Sequence, residues 1–335
     1  MGCSQSSVQP QQEEEAKEKT IQKLETIIEN VVLDTEVYIQ AIIETEDKRI
    51  ATGGSDGNIS ISSYDINEKK FQRDIYEELA HNGEVRALCS LKGNRLLSGG
   101  VGGIIKLWAL STKTITLTKE IDRHFGTINH LILLSHERFA SCSDDGTARV
   151  WKNDETFECI SLFDHENEVT TTLQLKGKEE LVTASFYFNG SEPGAKTGYI
   201  SFWSLISDTE EHTIRGYGVC FPSHMIELPD GNIALCTKEK PFLLVFIDCI
   251  NYQVKMTIDA GMIIICSSLC VIDKRSFIYA FFGYFLQVSI EDYSLISRAE
   301  GGKFFGCNCL APIQGGKYFA IDNRDGLSII KPYYA

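Results

Sequence analysis

Ala140-Ser-Cys-Ser-Asp-Asp-Gly-Thr-Ala-Arg-Val-Trp-Lys152 joins a tight acidic turn to an alternating run that ends on tryptophan. The same design recurs upstream. Leu97-Ser-Gly-Gly-Val-Gly-Gly103 precedes IIKLWAL, and Ala51-Thr-Gly-Gly-Ser-Asp-Gly57 precedes NISISSYD. The closing glycines Gly57, Gly103 and Gly146 lie 46 and 43 residues apart. Trp108 and Trp151 are 43 apart, and a fourth copy, GYISFWSL, brings Trp203, so all three tryptophans hold one repeat position. His81, His124 and His165 recur at 43 and 41 residues, each ahead of an apolar alternating stretch. Period-two alternation and β-branched enrichment make these stretches strands, three per unit, with a further strand leading to the next histidine.

The second half keeps the rhythm without the landmarks. Residues 224–248, 265–292 and 305–331 each read as three strands, which brings the count to 7 units. These residues resemble the WD-repeat family, and the resemblance implies a β-propeller of four-stranded blades. The expected fold is all-β: a seven-bladed β-propeller of degenerate WD-type repeats. The family's structural tetrad falls on His124, Ser141, Asp145 and Trp151. The other units depart from it, with Gly102 and Thr197 at the turn-aspartate position and Ser62 where tryptophan belongs.

The seventh unit ends after three strands, so a strand from the N-terminus is expected to close the ring and cover the sheet edge. Residues 23–30, KLETIIEN, have the right offset for it. Ile21, Leu24, Ile28 and Val31 also fall at helical spacing, which keeps an amphipathic helix open. The expected organisation is a flexible or helical tail over 1–19 and a propeller over 20–335.

Charge and composition exclude whole classes. Of 335 residues, 43% are apolar and 23% charged, ordinary globular usage. The net charge of −14 has the wrong sign for a phosphate backbone, and 13 of those charges fall in residues 1–210. The most apolar stretch, Ala260 to Val271, is too short to span a bilayer. The 11 cysteines include no paired CxxC and no zinc-finger spacing, so Cys89, Cys142 and Cys236 read as small buried hydrophobes. No secretory signal is recognisable, which points to a reducing, cytoplasmic setting.

Met1-Gly2-Cys3-Ser4-Gln5-Ser6 matches the N-myristoylation pattern, which needs an unhindered glycine amine. One myristoyl chain binds a bilayer only marginally. The second signal cannot be polybasic, because Glu13, Glu14, Glu15 and Glu18 outweigh Lys17 and Lys19. Cys3 supplies it by S-palmitoylation, as in the Gly-Cys starts of Src-like kinases and G-protein α subunits, which this hexapeptide resembles. The expected location is peripheral, at the inner face of a membrane.

Other motifs fail on context. Gly53-x-Ser55-x-Gly57 has the spacing of a hydrolase elbow, but a strand follows where a helix is required. Gly301-Gly-Lys303 and Gly315-Gly-Lys317 lack P-loop spacing. No catalytic, metal or cofactor constellation can be placed, and His81, His124 and His165 are accounted for by the repeat. The Trp151–Trp203 gap is 52 residues, with the excess in Phe186–Gly198. The family resemblance implies partner contacts on the face formed by loops before each first strand and by second-to-third-strand turns. By position these are Asp56, Asn82, Glu84, Phe125, Asn167, Asn189, Glu192 and Lys196. The expected function is a non-enzymatic scaffold for proteins or peptides, including ones with basic segments, held at a membrane by acylation. It would take no nucleic acid and no small-molecule substrate. A lipid-free cytosolic adaptor and a G-protein-β-like signalling subunit remain the alternatives.

Overall fold

The computed structural model describes residues 25–32, 38–68, 70–188, 196–216, 221–237, 243–259, 267–281, 284–300, 309–323 and 326–331. Every regular element among them is a strand, and the strands form seven four-stranded antiparallel sheets. The N-terminal strand is β1 (Glu25–Val32). Blade 1 is β2 (Ile39–Glu44), β3 (Ile50–Gly54), β4 (Ile59–Asp65) and β5 (Lys70–Glu77). Blade 2 is β6 (Val85–Leu91), β7 (Arg95–Gly100), β8 (Ile104–Leu110) and β9 (Ile115–Arg123). Blade 3 follows as β10 (Ile128–Leu134), β11 (Arg138–Ser143), β12 (Thr147–Lys152) and β13 (Cys159–Asp164). Blade 4 has β14 (Val169–Gln174), β15 (Glu180–Phe188), β16 (Lys196–Ser204) and β17 (Glu210–Gly216). In blade 5 these are β18 (Pro222–Glu227), β19 (Ile233–Thr237), β20 (Leu243–Asp248) and β21 (Gln253–Asp259). Blade 6 comprises β22 (Ser267–Val271), β23 (Ser276–Phe281), β24 (Tyr284–Ser289) and β25 (Leu295–Glu300). Blade 7 holds β26 (Leu310–Ile313), β27 (Tyr318–Asn323) and β28 (Gly326–Lys331), with β1 as its outer strand.

A blade stacked between two others must be apolar on both faces, and the sequence supplies this in the middle strands. Ile50–Gly54 and Ile233–Thr237 are buried at every position. The resulting core is a ring of seven hydrophobic clusters, each built from the facing sides of two adjacent blades. Ile105 of blade 2, for example, shares its cluster with Phe139 and Trp151 of blade 3. Each fully buried aliphatic or aromatic side chain contributes about 1.5–3 kcal/mol. Packing between blades therefore outweighs any single polar contact.

β1 closes the circle by pairing antiparallel with β28, Glu25 opposite Lys331 and Val32 opposite Gly326. The described strand begins two residues later than the expected 23–30. The helical spacing through Ile28 and Val31 loses to the open edge of β28, whose backbone groups need partners. Taking as top the face that carries the second-to-third-strand turns, Val32 ends at the top and Glu25 begins at the bottom. Gly2, Cys3 and the 1–19 segment lie outside the described residues.

Candidate functional site

Beneath the top face, three blades carry a chain of buried hydrogen bonds. In blade 3, Trp151 Nε1–H donates to Ser141 Oγ at 2.8 Å, and His124 Nε2 lies 2.6 Å from the same oxygen. His124 Nδ1 meets Asp145 Oδ2 at 2.9 Å. Proton positions follow from donor inventory: an indole N–H can only donate and a carboxylate only accepts. The His124 Nδ1–H then donates to Asp145, and Ser141 Oγ is shared between the Trp151 indole and His124 Nε2. Burial raises the Asp145 carboxyl, but hydrogen bonds from Thr147 and the Phe125 N–H, and then His124, outweigh it and hold the pKa below its ordinary value.

Blade 2 keeps three of the four groups. Trp108 Nε1–H donates to Ser98 Oγ at 2.7 Å, and His81 Nε2 is 2.7 Å from it. Gly102 stands at the aspartate position, and Lys106 Nζ donates to Ala80 O at 2.9 Å instead. Burial, reinforced by the Lys106 charge, pushes His81 down to about 4. In blade 4, Trp203 Nε1–H donates to Thr183 Oγ1 at 2.8 Å and His165 Nε2 is 3.1 Å away. Here no tight turn follows. The β15–β16 hairpin continues through Phe186↔Gly198, Tyr187↔Thr197 and Phe188↔Lys196, which carries Thr197 into a strand pair.

The histidines also tie neighbouring blades. The N–H groups of His81, His124 and His165 donate to the carbonyls of Gly57, Gly103 and Gly146 in the preceding blade, at 2.9, 2.8 and 2.8 Å. Those glycines have φ of 84°, 72° and 79°, and a Cβ on Gly57 or Gly103 would lie 2.3 or 2.2 Å from the histidine carbonyl oxygen. Positive φ and close approach together explain the recurring glycine.

On the surface above, Asp56 accepts from the Asn58 N–H at 3.0 Å, and Glu84 pairs with Arg86 at 2.8 Å. Asn82 is exposed, and Phe125 is 85% exposed although its N–H donates to Asp145 at 2.9 Å. Asn167 lines a cavity of about 230 Å³ at the top of blade 4. Lys196 is placed by its backbone pairing with Phe188, whereas Asn189 and Glu192 lie outside the described residues. The structure adds residues that position in the repeat did not single out: Tyr38, Leu79 and Val101 are 66%, 75% and 40% exposed on the same face. Tyr38 exchanges bonds with Ser55, and the Val101 N–H donates to Glu84 O at 3.0 Å. Only Val101 carried a signal in the sequence, as an apolar residue inside the glycine-rich turn Ser98–Gly103.

The surface of blades 1 to 3 is thus apolar side chains set among carboxylates. Burial and the neighbouring Asp144 raise the Glu168 carboxyl. No three His, Cys, Asp or Glu side chains converge as a metal site among the described residues. Cys89, Cys142 and Cys236 are buried, and burial drives the Cys89 thiol up to about 12.

Residues 73–109 and 115–152 match the family model described as WD domain, G-beta repeat. Each matched segment starts in an outer strand and ends with the third strand of the next blade, so the two cover the His–Ser–Trp chains of blades 2 and 3. The chain is 36% identical over 85 residues to the ubiquitin homeostasis protein lub1 of Schizosaccharomyces pombe, covering 25% of this chain and 11% of that protein. It is 30% identical over 106 residues to striatin of Homo sapiens and 28% identical to striatin of Rattus norvegicus, covering 28% of this chain and 14% of each striatin. The alignments therefore span only about a tenth to a seventh of these curated relatives.

Proposed function

We propose that this seven-bladed propeller of WD-type repeats is a non-enzymatic scaffold that binds proteins or peptides on its top face. In this reading it is tethered at the inner face of a membrane through a myristoylated Gly2 and a palmitoylated Cys3. The observation that carries the binding half is the set of exposed apolar side chains, Tyr38, Leu79, Val101 and Phe125, on the top of blades 1 to 3 beside Asp56 and Glu84. Apolar anchors ringed by charge suit a peptide with apolar and basic residues. WD-type repeats shared with striatin and lub1 support the same reading. The tether half rests on the Met1–Ser6 motif.

Azide-myristate labelling with membrane pelleting tests the tether. Wild type is expected to take label and pellet, Gly2→Ala to lose label, and Cys3→Ser to be released to the supernatant. An unlabelled, soluble wild type would leave a lipid-free adaptor. For the binding half, Phe125→Glu is expected to abolish co-purification of partners that crosslink to the wild-type top face, with thermal stability unchanged.

A further inference from the structure

The cavity at the top of blade 4 has an unusual floor. His165 lines it, and the Nε2 side of the ring is committed to Thr183. Trp203 can only donate to Thr183 Oγ1, so the hydroxyl proton is directed to His165 Nε2, 3.1 Å away, in preference to Ser201 O at 3.5 Å. His165 therefore carries its proton on Nδ1, as His124 does. In blade 3 that N–H ends on Asp145. In blade 4 the extended hairpin has removed the aspartate, and no described residue accepts from it. The His165 ring is also half-buried, where His81 and His124 are 3% and 1% exposed, so the opening reaches it.

The rim has the opposite demand. Asp164, Glu166 and Glu210, the last already accepting from the Thr213 hydroxyl, line the opening with Arg215 as the single cation among the described lining residues, and Arg215 is drawn over the Tyr199 ring at 5.5 Å. Asp164 and Glu210 are close enough to His165 for their charges to favour its protonated form, although burial dominates and lowers it to about 4. The floor thus offers a neutral N–H donor and the rim offers acceptors. An ammonium or guanidinium group has no acceptor for the floor. A carboxylate has no donor for the rim and is repelled by it. A primary carboxamide has both, and a volume of about 230 Å³ holds one side chain rather than a drug-sized ligand.

We propose that the blade 4 cavity is a recognition pocket for a carboxamide, an Asn or Gln side chain of a protein partner. Its carbonyl accepts from His165 Nδ1–H and its amino group donates to Glu210 and Asp164. The ligand completes from outside the hydrogen-bond chain that Asp145 completes internally in blade 3. This rests on the reading of the top face as a protein-binding surface, but its test needs neither the partner nor the lipid.

The test is a titration of the ¹⁵N-labelled full chain, followed through its imidazole resonances, with N-acetyl-L-glutamine methylamide. The corresponding glutamate and arginine methylamides serve as controls. The His165 signals are assigned by their loss in His165→Gln and, should that variant unfold, by through-space contact with the Trp203 ring, whose centroid is 5.2 Å away. The glutamine probe should shift them saturably with half-saturation on the order of 1–10 mM, with the controls at least about tenfold weaker. Glu210→Gln should weaken the glutamine probe. Absence of a saturable shift, or equal binding of either control, overturns the pocket, and the myristate experiment reads out unaffected.

Discussion

His124 and Gly103 clasp each other across the boundary between blades 2 and 3. The histidine N–H donates to the glycine carbonyl at 2.8 Å, and a Cβ on Gly103 would stand 2.2 Å from the histidine carbonyl oxygen. Gly177 offers the control, with the same φ of 72° but open space around it. Gly177→Ala should cost only the left-handed penalty, about 1–2 kcal/mol. Gly103→Ala adds a backbone collision and should cost about 3 kcal/mol or more. Urea midpoints at constant slope measure both. Equal costs would show that φ alone selects the glycine.

Ser141 is the junction of its chain, since Trp151 and His124 both end on its oxygen. Ser141→Ala leaves two buried polar groups without partners, a loss of about 2–5 kcal/mol. Thr183→Val should cost less, because His165 opens to the cavity. The ordering of the two midpoints is the check.

Acid should destabilise the ring through histidines before it does so through carboxylates. Burial lowers His81 and His130 to about 4, and lowers His224, with help from the His130 charge, to about 3. Unfolding returns each to about 6.5. Between those values the unfolded chain binds more protons, so stability is full above about pH 6.5 and falls as pH drops towards 4. Asp145, held low, loses its contribution only below its unfolded value near 4. Urea midpoints should therefore be level from pH 8 to 7 and decline from 7 to 5. A level profile down to pH 5 would contradict the burial assigned to these rings.

Removing residues 1–24 should leave a folded monomer. Removing 1–32 takes β1 from β28 and bares the edge of blade 7. That shorter chain should associate or precipitate, as an unpaired edge invites. Size-exclusion profiles of the two truncations decide it.

The repeat was legible because it is written in residues with few alternatives: Gly57, Gly103 and Gly146 at positive φ, and three tryptophans that each need a hydroxyl acceptor. Blades 5 to 7 were legible only as alternation, since bulk apolarity between blades is satisfied by many side chains. A helix stayed open beside the expected strand over residues 23–30 because the deciding partner, β28, is about 300 residues away. On the top face, position in the repeat placed Asp56, Asn82, Glu84, Phe125 and Asn167. The exposure of Tyr38, Leu79 and Val101 was hidden because exposure in a turn depends on how the neighbouring blade sits. The open His165 ring was equally hidden: Thr197 shows that the aspartate is missing, but only the extended pairing Tyr187↔Thr197 shows that a space takes its place.

The pairing of Glu25 with Lys331 sets a timetable. At about 5–20 residues per second of synthesis, β1 waits roughly 15–60 s for its partner to leave the ribosome. During that interval six blades can assemble while β1 stands without its partner strand. The circle is then locked by two segments some 300 residues apart in the chain. A nascent protein cut short anywhere before residue 331 leaves an open edge in place of a smaller propeller, and so presents quality control with an unambiguous defect.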